Sequence, residues 1–277
     1  MTARPRSGGA RRPRAGTSTG ARVGVAIPWV IFAIAIIHFG GTVFAVALVG
    51  LGFVALHELY TIFRPVRPIP LAGFAGMAGL IFAASYGDQF QIVLVAAASV
   101  LAAFVLSLPR RDRRHVSLSI AVTLLGVFWI GLALAHAVLL RGLEHGDGLI
   151  VDVLIATFIG DTGAYFGGRT WGTRALAPRI SPAKTVEGLL AGILAGTGAF
   201  VLASLYQDWL SAGEALVMGL AVSIAAPLGD LFESMIKRDL NLKDTGRFFG
   251  EHGGALDRLD AAFFTVVVGY YVSVALL

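Results

Sequence analysis

The sequence predicts an all-α polytopic membrane protein with about nine transmembrane helices, its N-terminus inside and its C-terminus outside. Of the 277 residues, 56% are hydrophobic and only 14% are charged, whereas a soluble domain carries about 25% charged residues. The apolar residues fall in successive runs, each close to the ~20 residues that cross the hydrocarbon core of a bilayer. The lysines and arginines cluster in alternate loops, which is typical of cytoplasmic loops.

The first element, residues 1–22, is predicted to be a disordered, basic cytoplasmic tail. It holds six arginines and no acidic residue and is rich in Gly, Ser, Thr and Pro, so it cannot bury a core. Residues 23–145 follow as an N-terminal transmembrane region, and residues 146–277 form a second one that carries most of the polar clusters. The predicted spans are, in order, 23–39, 42–62, 70–87, 89–108, 117–140, 149–168, 186–206, 211–236 and 258–277.

The positive charges predict the orientation of these spans. With the N-terminus inside, 21 of the 22 lysines and arginines fall on the inner side, and only Arg141 falls outside. A miscount of one span would scatter these charges, so they support the count independently of hydropathy. The net charge of +5 follows this topology, and no nucleic-acid partner is expected. The absence of cysteine excludes a disulfide framework and a cysteine-based metal site.

Some spans contain features that predict helix packing. The third span is rich in glycine and is expected to pack closely against a neighbour. Isolated polar residues in other spans, His57-Glu58, His136 and Asp152, are interpreted as helix–helix hydrogen bonds.

The sixth span ends in a polar, glycine-rich stretch, Gly160–Arg169. Asp161 and Tyr165 lie at i and i+4 and therefore share one helix face at membrane depth. Two interpretations are open. The glycines allow close backbone approach to a phosphate, or the polar residues hold two helices together.

A second polar cluster directly precedes the seventh span. Ser181 is the predicted N-cap and Pro182 the first helical residue, with Lys184 and Thr185 in the first turn and Glu187 entering the membrane. A helix N-terminus with a lysine suits an anion. The alternative is an ordinary capped helix start with a lysine on the inner side.

The most polar stretch, 229–260, separates two strongly apolar runs. In the eighth span Asp230, Glu233, Ser234 and Lys237 form one polar stripe. Asp230 lies seven residues before Lys237, so it is about 10 Å deep at ~1.5 Å per residue. A carboxylate at that depth needs a partner or a cation.

The loop after this span, together with the start of the ninth span, has the composition of a nucleotide site. Asp257 and Asp260 open the ninth span at i and i+3, and such oxygen ligands suit Mg²⁺ bound together with substrate phosphates. Gly253-Gly254 is free to turn. His252 is a candidate base or a neutral contact to phosphate or backbone, and a salt-bridged loop between spans is the alternative for the whole cluster. The cations available are Lys237, Arg238, Lys243, Arg247 and Arg258.

This stretch resembles the signature of the phosphatidate cytidylyltransferase (CDP-diacylglycerol synthase) family. The clusters Gly160–Tyr165 and Ser181–Gly188 also resemble that family, and the similarity is strong over about residues 155–265. Ala255 and Val186 depart from the family's usual larger aliphatic residue and Trp, but neither exchange removes a charged group. The matching positions of the signature are Ser234, Lys237-Arg238, Lys243-Asp244, Gly246, Phe249-Gly250, His252-Gly253-Gly254 and Asp257-Arg258-Leu259-Asp260.

The resemblance implies an enzyme that joins CTP and phosphatidic acid to give CDP-diacylglycerol and pyrophosphate in phospholipid biosynthesis. It makes 146–277 the catalytic region and implies that Asp230 and Asp257 hold Mg²⁺, with room for a second cation such as K⁺. It also implies a homodimer in a bacterial cytoplasmic membrane, in contact with membrane lipid and with its site facing the cytoplasm.

The resemblance assigns two groups of residues to the site. The expected catalytic residues are Asp230, Asp257, Lys237, Arg238, Lys243, Asp244, Arg258, Asp260 and His252. The expected substrate-binding residues are Asp161, Ser181, Lys184, Thr185, Glu187, Ser234, Gly253 and Gly254. Within these groups Lys237, Arg238, Lys243 and Arg258 would neutralise the phosphates, and Ser181, Lys184 and Glu187 would line the opposite wall.

Two other functions are alternatives. A related CTP-dependent lipid kinase would use similar carboxylates and cations but would transfer the γ-phosphate, so it would release no pyrophosphate. An ion-coupled transporter would use intramembrane carboxylates as ion sites. It predicts polar residues that continue to the outer face, whereas the last three spans are polar mainly near their inner ends.

Overall fold

The computed structural model describes residues 30–242, 244–246 and 253–277. The predicted tail and the predicted site residues Lys243 and His252 lie outside this part of the chain. The helices described are α1 (Val30–Phe39), α2 (Gly41–Ile62), α3 (Pro70–Tyr86), α4 (Gln89–Ser107), α5 (Val116–Gly142), α6 (Gly146–Trp171), α7 (Val186–Ser204), α8 (Ala212–Asp239) and α9 (Leu256–Leu276). Two short strands, β1 (Ala175–Ala177) and β2 (Ser181–Thr185), join α6 to α7.

The helices confirm a multi-pass membrane protein. Seven of those described are long and apolar enough to cross a bilayer, while α1, described over ten residues, and α3, with 17, are shorter. Each predicted span overlaps one described helix, and the first span, 23–39, is described only from Val30 onward. The count of nine crossings and the orientation stay predictions.

The glycines of α3 pack as the sequence predicts. A Cβ at Gly73 would lie 1.9 Å from the hydroxyl oxygen of Tyr60 on α2, and one at Gly76 would lie 2.5 Å from the hydroxyl of Ser99 on α4. Since small residues let helices approach closely in lipid, α3 sits directly against both neighbours.

Among the polar residues within other spans, His136 makes the predicted helix–helix contact, Asp152 bonds to a connection instead of a helix, and the exposed His57 makes no such hydrogen bond among the described residues. Nε2 of His136 on α5 lies 3.2 Å from the hydroxyl of Tyr271 on α9. Asp152, fully buried on α6, accepts hydrogen bonds from Tyr206 and Gln207 in the α7–α8 connection. These contacts hold α5 against α9 and α6 against the α7–α8 connection.

The start of α7 differs from the prediction. Ser181 is not its N-cap, because residues 181–185 are extended in β2 and pair antiparallel with β1. The N-cap is Thr185, whose hydroxyl accepts a hydrogen bond from the N–H of Gly188 at 3.1 Å. Pro182 is compatible with a strand at the edge of a sheet, where its missing N–H removes no ladder bond. Lys184 therefore lies on a hairpin and not in the first helical turn.

The glycine-rich end of α6 serves helix packing. A Cβ at Gly163 or Gly167 would lie 2.5 and 2.3 Å from alanine side chains of α7. From the other side, a Cβ at Gly192 would meet the carbonyl oxygen of Gly160 at 2.9 Å. These small residues bring the two helices together, and this contact accounts for the glycines without a phosphate.

The largest buried core links helices from both halves of the chain. It includes Leu56 on α2, Ile130 on α5, Leu149 on α6, Met218 on α8 and Phe263 on α9, each no more than 2% exposed. The same core includes Ile236 near the end of α8 and Leu256 at the start of α9, so it extends up to the polar stretch 229–260.

Candidate active site

The site begins where α8 and α9 approach each other closely at Gly229. A Cβ at Gly229 would lie 2.3 Å from the carbonyl oxygen of Asp260, so only glycine allows the observed separation. The next residue, Asp230, places its carboxyl group close enough to that of Asp260 for the two to interact. Two acidic side chains from two helices therefore meet at one point.

One turn nearer the ends of the helices, a second pair of acids meets around a lysine. The ammonium group of Lys237 donates to the carboxylate of Glu233 and, at 2.9 Å, to that of Asp257. Glu233 is 1% exposed, and its carboxyl group also interacts with that of Asp257. The predicted polar stripe of α8 thus faces the start of α9.

Asp257 also anchors the loop that precedes α9. Its carboxylate accepts hydrogen bonds from the N–H of Thr245 at 3.0 Å and from the N–H of Gly254 at 2.8 Å. Gly253 adopts a φ of 87°, a conformation that favours glycine. The structure therefore contains the predicted Gly-Gly turn, in which the N–H of Gly254 points to the Asp257 carboxylate.

The hairpin and α6 add the other two polar clusters to the same place. The ammonium group of Lys184 on β2 lies 2.5 Å from the Asp230 carboxylate. Asp161 on α6 is close enough to interact electrostatically with both Asp230 and Lys184. The structure therefore unites the three clusters that the sequence placed separately along the chain.

A cavity of about 480 Å³ opens beside Asp230. Arg169 on its wall donates a hydrogen bond to the hydroxyl of Tyr165, at 3.1 Å. The cavity lining also contains apolar side chains, among them Leu176, Leu189 and Ile193, so the cavity offers contacts to both charged and apolar groups of a ligand. Its polar lining residues are Asp161, Thr185, Tyr165, Arg169, Ser181, Lys184, Ser223 and Asp230.

The donor set fits a divalent cation. This cluster holds five acids, Asp161, Asp230, Glu233, Asp257 and Asp260, and the ion pairs described among them involve Lys184 and Lys237. One carboxylate oxygen of Glu233 is buried and has no hydrogen-bond partner in the described part of the chain. Excess carboxylate in a membrane calls for a cation, and oxygen ligands suit a hard one.

Lys237 bridges Glu233 and Asp257, whereas Lys184 pairs with Asp230. Within residues 30–242, 244–246 and 253–277, no three His, Asp or Glu side chains surround a common point suited to a metal. The two predicted ligands, Asp230 and Asp257, belong to different pairs, each with its own lysine. Their joint role as metal ligands stays a prediction.

Other predicted site residues lie at the edge of this cluster. Arg238 donates to the carbonyl of Ile180 at 3.1 Å and so ties the end of α8 to the hairpin. Ser234 is half-buried on α8, while Asp244 and Arg258 are exposed.

Glu187 makes contacts that stabilise the fold. Its carboxylate accepts hydrogen bonds from the backbone N–H groups of Thr173 and Arg174 and from both of their side chains. It thereby holds the segment that enters β1, and it is not among the residues that line the cavity. Its substrate-binding role stays a prediction.

Sequence reasoning missed several residues that shape the site. Gly229 directly precedes Asp230, the first carboxylate of the stripe. This position is the only feature of the sequence that could have indicated its role in the spacing of α8 and α9. Glu233 was recognised as part of the stripe but was not assigned to the site. Glu58 was expected to make a helix–helix hydrogen bond, and it does, but its partner is the first turn of α9.

A family model for the cytidylyltransferase family matches residues 20–276 of this chain. The chain belongs to this family. It is 28% identical over 284 residues to the phosphatidate cytidylyltransferase of Mycobacterium leprae (strain TN), which covers 93% of this chain and 88% of the relative. It is 30% identical over 247 residues to that of Bacillus subtilis (strain 168), covering 83% and 88%, and 30% identical over 238 residues to that of Staphylococcus haemolyticus (strain JCSC1435), covering 83% and 90%.

Membership confirms the resemblance seen in the sequence and makes the protein a cytidylyltransferase-type enzyme. Members of this family generally use a divalent metal, and the excess of carboxylates between α8 and α9 fits that requirement. The candidate active site is therefore the region where α6, the hairpin, α8 and α9 converge.

Proposed function

We propose that this protein transfers the cytidylyl group of CTP to phosphatidic acid, giving CDP-diacylglycerol and pyrophosphate for phospholipid biosynthesis. One observation carries the proposal above all. Asp161, Lys184 and Asp230 come from three separate parts of the sequence and line one cavity, whose lining also contains apolar side chains. The cytidylyltransferase relatives named above support the choice of lipid acceptor.

In the proposed reaction, a phosphate oxygen of the lipid attacks the α-phosphorus of CTP. The new P–O bond forms as the bond from the α-phosphorus to the bridging oxygen breaks, and pyrophosphate leaves with the electron pair. Such a transfer needs positioning and charge neutralisation more than covalent help from the protein.

Named residues of this chain would do that positioning. Lys184 lines the cavity and pairs with Asp230, while Lys237 pairs with Glu233 and Asp257, and both ammonium groups are available to bind phosphate oxygens. Asp230 and Asp257 would hold Mg²⁺, which supplies neutralisation of the triphosphate when bound. The proposal includes K⁺ as a second cation.

The location of the site suits one soluble substrate and one lipid substrate. Asp230 lies about 10 Å from Lys237 along α8, so a site there can meet a lipid headgroup and a nucleotide that enters from the aqueous side. We place this side in the cytoplasm of a bacterium, because the lysines and arginines accumulate there.

The proposal is tested by incubating purified protein with phosphatidic acid, Mg²⁺ and CTP labelled at the α-phosphate, followed by lipid extraction. We expect label in the lipid and release of pyrophosphate. A parallel incubation uses CTP labelled at the γ-phosphate, and lipid labelled only in that incubation would instead mean a kinase. The absence of labelled lipid in both incubations would contradict both enzyme activities and favour the transporter.

Charge-removing variants test the roles of the carboxylates. Asp257→Asn keeps the size of the side chain but removes its charge, and we expect activity to fall by orders of magnitude in a folded protein. Asp244→Asn changes an exposed carboxylate in the same stretch and is expected to lose much less. Equal activity of the two variants would contradict the assignment of Asp257.

The proposal includes a homodimer, on the basis of the family resemblance alone. The chain has no cysteine, so single cysteines introduced on lipid-facing helix surfaces provide a clean cross-linking assay in membranes. We expect a covalent dimer from at least one helix face, whereas monomer at every position would contradict the homodimer.

A further inference from the structure

A buried carboxylate from the N-terminal half of the chain lies under the first turn of α9. Glu58 on α2 is only 7% exposed. Its Oε2 accepts a hydrogen bond from the backbone N–H of Leu256 at 2.9 Å. A charged side chain at such a position is costly to bury and calls for a reason.

The first turn of α9 depends on this contact because it has no cap of its own. Ala255 occupies the N-cap position, and no side chain there accepts a hydrogen bond from the helix. The first N–H groups of a helix need acceptors, and a negative charge is favourable at the positive end of the helix dipole. Glu58 supplies both from another helix.

The same carboxylate also supports both ends of the loop that precedes α9. A Cβ at Gly246 would lie 2.3 Å from Oε1 of Glu58, and a Cβ at Gly254 would lie 2.3 Å from its Oε2. Both glycines therefore pack directly against the side chain of Glu58. Oε1 has no hydrogen-bond partner in the part of the chain that the structure describes.

These loop ends are also the ones that bind the site carboxylate. The N–H groups of Thr245 and Gly254 donate to Asp257. Glu58 thus contacts the backbone on which Asp257 is held, as well as the helical turn from which Asp257 projects. A shift of this turn would move Asp257 and, one turn further, Asp260.

We propose that Glu58 is a positioning residue for the transfer reaction. It fixes the first turn of α9 and the adjoining Gly-Gly turn, so that Asp257 and Asp260 are held in place to bind a divalent cation and substrate phosphate. This inference rests on the proposed function, but it makes its own prediction about the order of α9, which is measurable without turnover.

Two variants separate the charge of Glu58 from its hydrogen bond. Glu58→Gln keeps the volume and an acceptor oxygen but removes the charge, and Glu58→Ala removes the acceptor as well. Asp152→Asn is the matched control, because Asp152 is a buried carboxylate that accepts two hydrogen bonds elsewhere on the molecule. His57→Ala alters the exposed neighbour of Glu58 on α2.

The first measurement is a Mg²⁺ titration of CDP-diacylglycerol formation. Loss of residues that support metal ligands typically costs about 10- to 100-fold in metal affinity or activity. We expect a loss in this range for Glu58→Gln, a larger loss for Glu58→Ala, and an unchanged Mg²⁺ midpoint for both controls.

The second measurement is hydrogen–deuterium exchange of peptides covering residues 253–262, with and without Mg²⁺. We expect faster exchange in both Glu58 variants, and protection by Mg²⁺ only at higher concentrations than the wild type needs. If the wild type transfers no cytidylyl group, the proposed function is refuted, and the exchange rates still show whether Glu58 orders the first turn of α9.

The proposal is overturned if Glu58→Gln matches the wild type in both measurements. It is equally overturned if Glu58→Gln only lowers thermal stability, as Asp152→Asn is expected to, while its Mg²⁺ midpoint and its exchange at α9 stay unchanged. A purely structural role would produce that second pattern.

Discussion

Replacing Gly229 with alanine tests whether the close approach of α8 and α9 is needed for the reaction. A Cβ at this position would lie 2.3 Å from the carbonyl oxygen of Asp260 and 3.0 Å from the Cα of Ala261. Ordinary van der Waals contact begins at 3.4 Å, so the 2.3 Å distance from this Cβ to the carbonyl oxygen is too short by 1.1 Å. The obstructing atoms are helix backbone, and no side-chain rotation can relieve the overlap.

The displacement acts directly on the site. Asp230 follows Gly229, and Asp260 carries the carbonyl that must move, so the contact between their carboxyl groups is disturbed. A misplacement of about 1 Å can cost on the order of 100-fold in rate. We therefore expect Gly229→Ala to lower kcat about 100-fold, while the core of α8 around Met218 keeps the protein folded.

The assay is the initial rate of CDP-diacylglycerol formation from α-labelled CTP at saturating phosphatidic acid and Mg²⁺. Gly198→Ala on α7 is the matched control, because a Cβ there would meet nothing within 4 Å. It makes the same chemical change in a transmembrane helix and is expected to leave kcat unchanged. A folded Gly229→Ala protein as fast as Gly198→Ala would refute the idea that helix spacing places the carboxylates.

Three further predictions concern the hairpin, the cap of α7 and the topology. Lys184→Ala should raise the KM for CTP about 10- to 100-fold, since a charge-assisted contact of about 1.5–3 kcal/mol is lost. Deletion of residues 2–19 should leave the KM for CTP unchanged. If Lys184→Ala and this deletion changed the KM equally in a CTP titration, the role of the lysine would be contradicted. Thr185→Ala should lower the free energy of unfolding by about 1 kcal/mol, because the N-cap of α7 is lost. Denaturation in detergent measures this change, with Thr173→Ser as the control. An unchanged free energy of unfolding would mean that the cap is dispensable. Reporter fusions should be extracytoplasmic at Leu277 and cytoplasmic at Pro109, and the reverse at either point would overturn the nine-span model.

The helices could be predicted because their signal is local. Each span is a run of apolar residues, and hydropathy alone separates such runs from the short polar connections. The start of α7 could not be predicted in the same way. Ser181-Pro182 has the composition of a helix start, but pairing with β1, a nonlocal interaction, extends these residues and moves the cap to Thr185.

The chemical components of the site were also visible in the sequence. Asp230, Lys237, Asp257 and Asp260 stand out because charge is costly at membrane depth, and their spacing on each helix follows from helical periodicity. Pairing across helices was not visible. No local rule shows that Asp230 meets Asp260 and Lys184.

The sequence by itself therefore determined the class of the protein, its successive spans and the residue types of its site, because these depend on composition and short-range periodicity. Only the tertiary structure decided which side chains face each other. Gly229 sets the distance between α8 and α9 by the absence of a side chain, and Glu58 reaches the first turn of α9 across 198 residues of sequence. Contacts of that kind depend on how helices pack in three dimensions, and a single sequence carries no local signal for them.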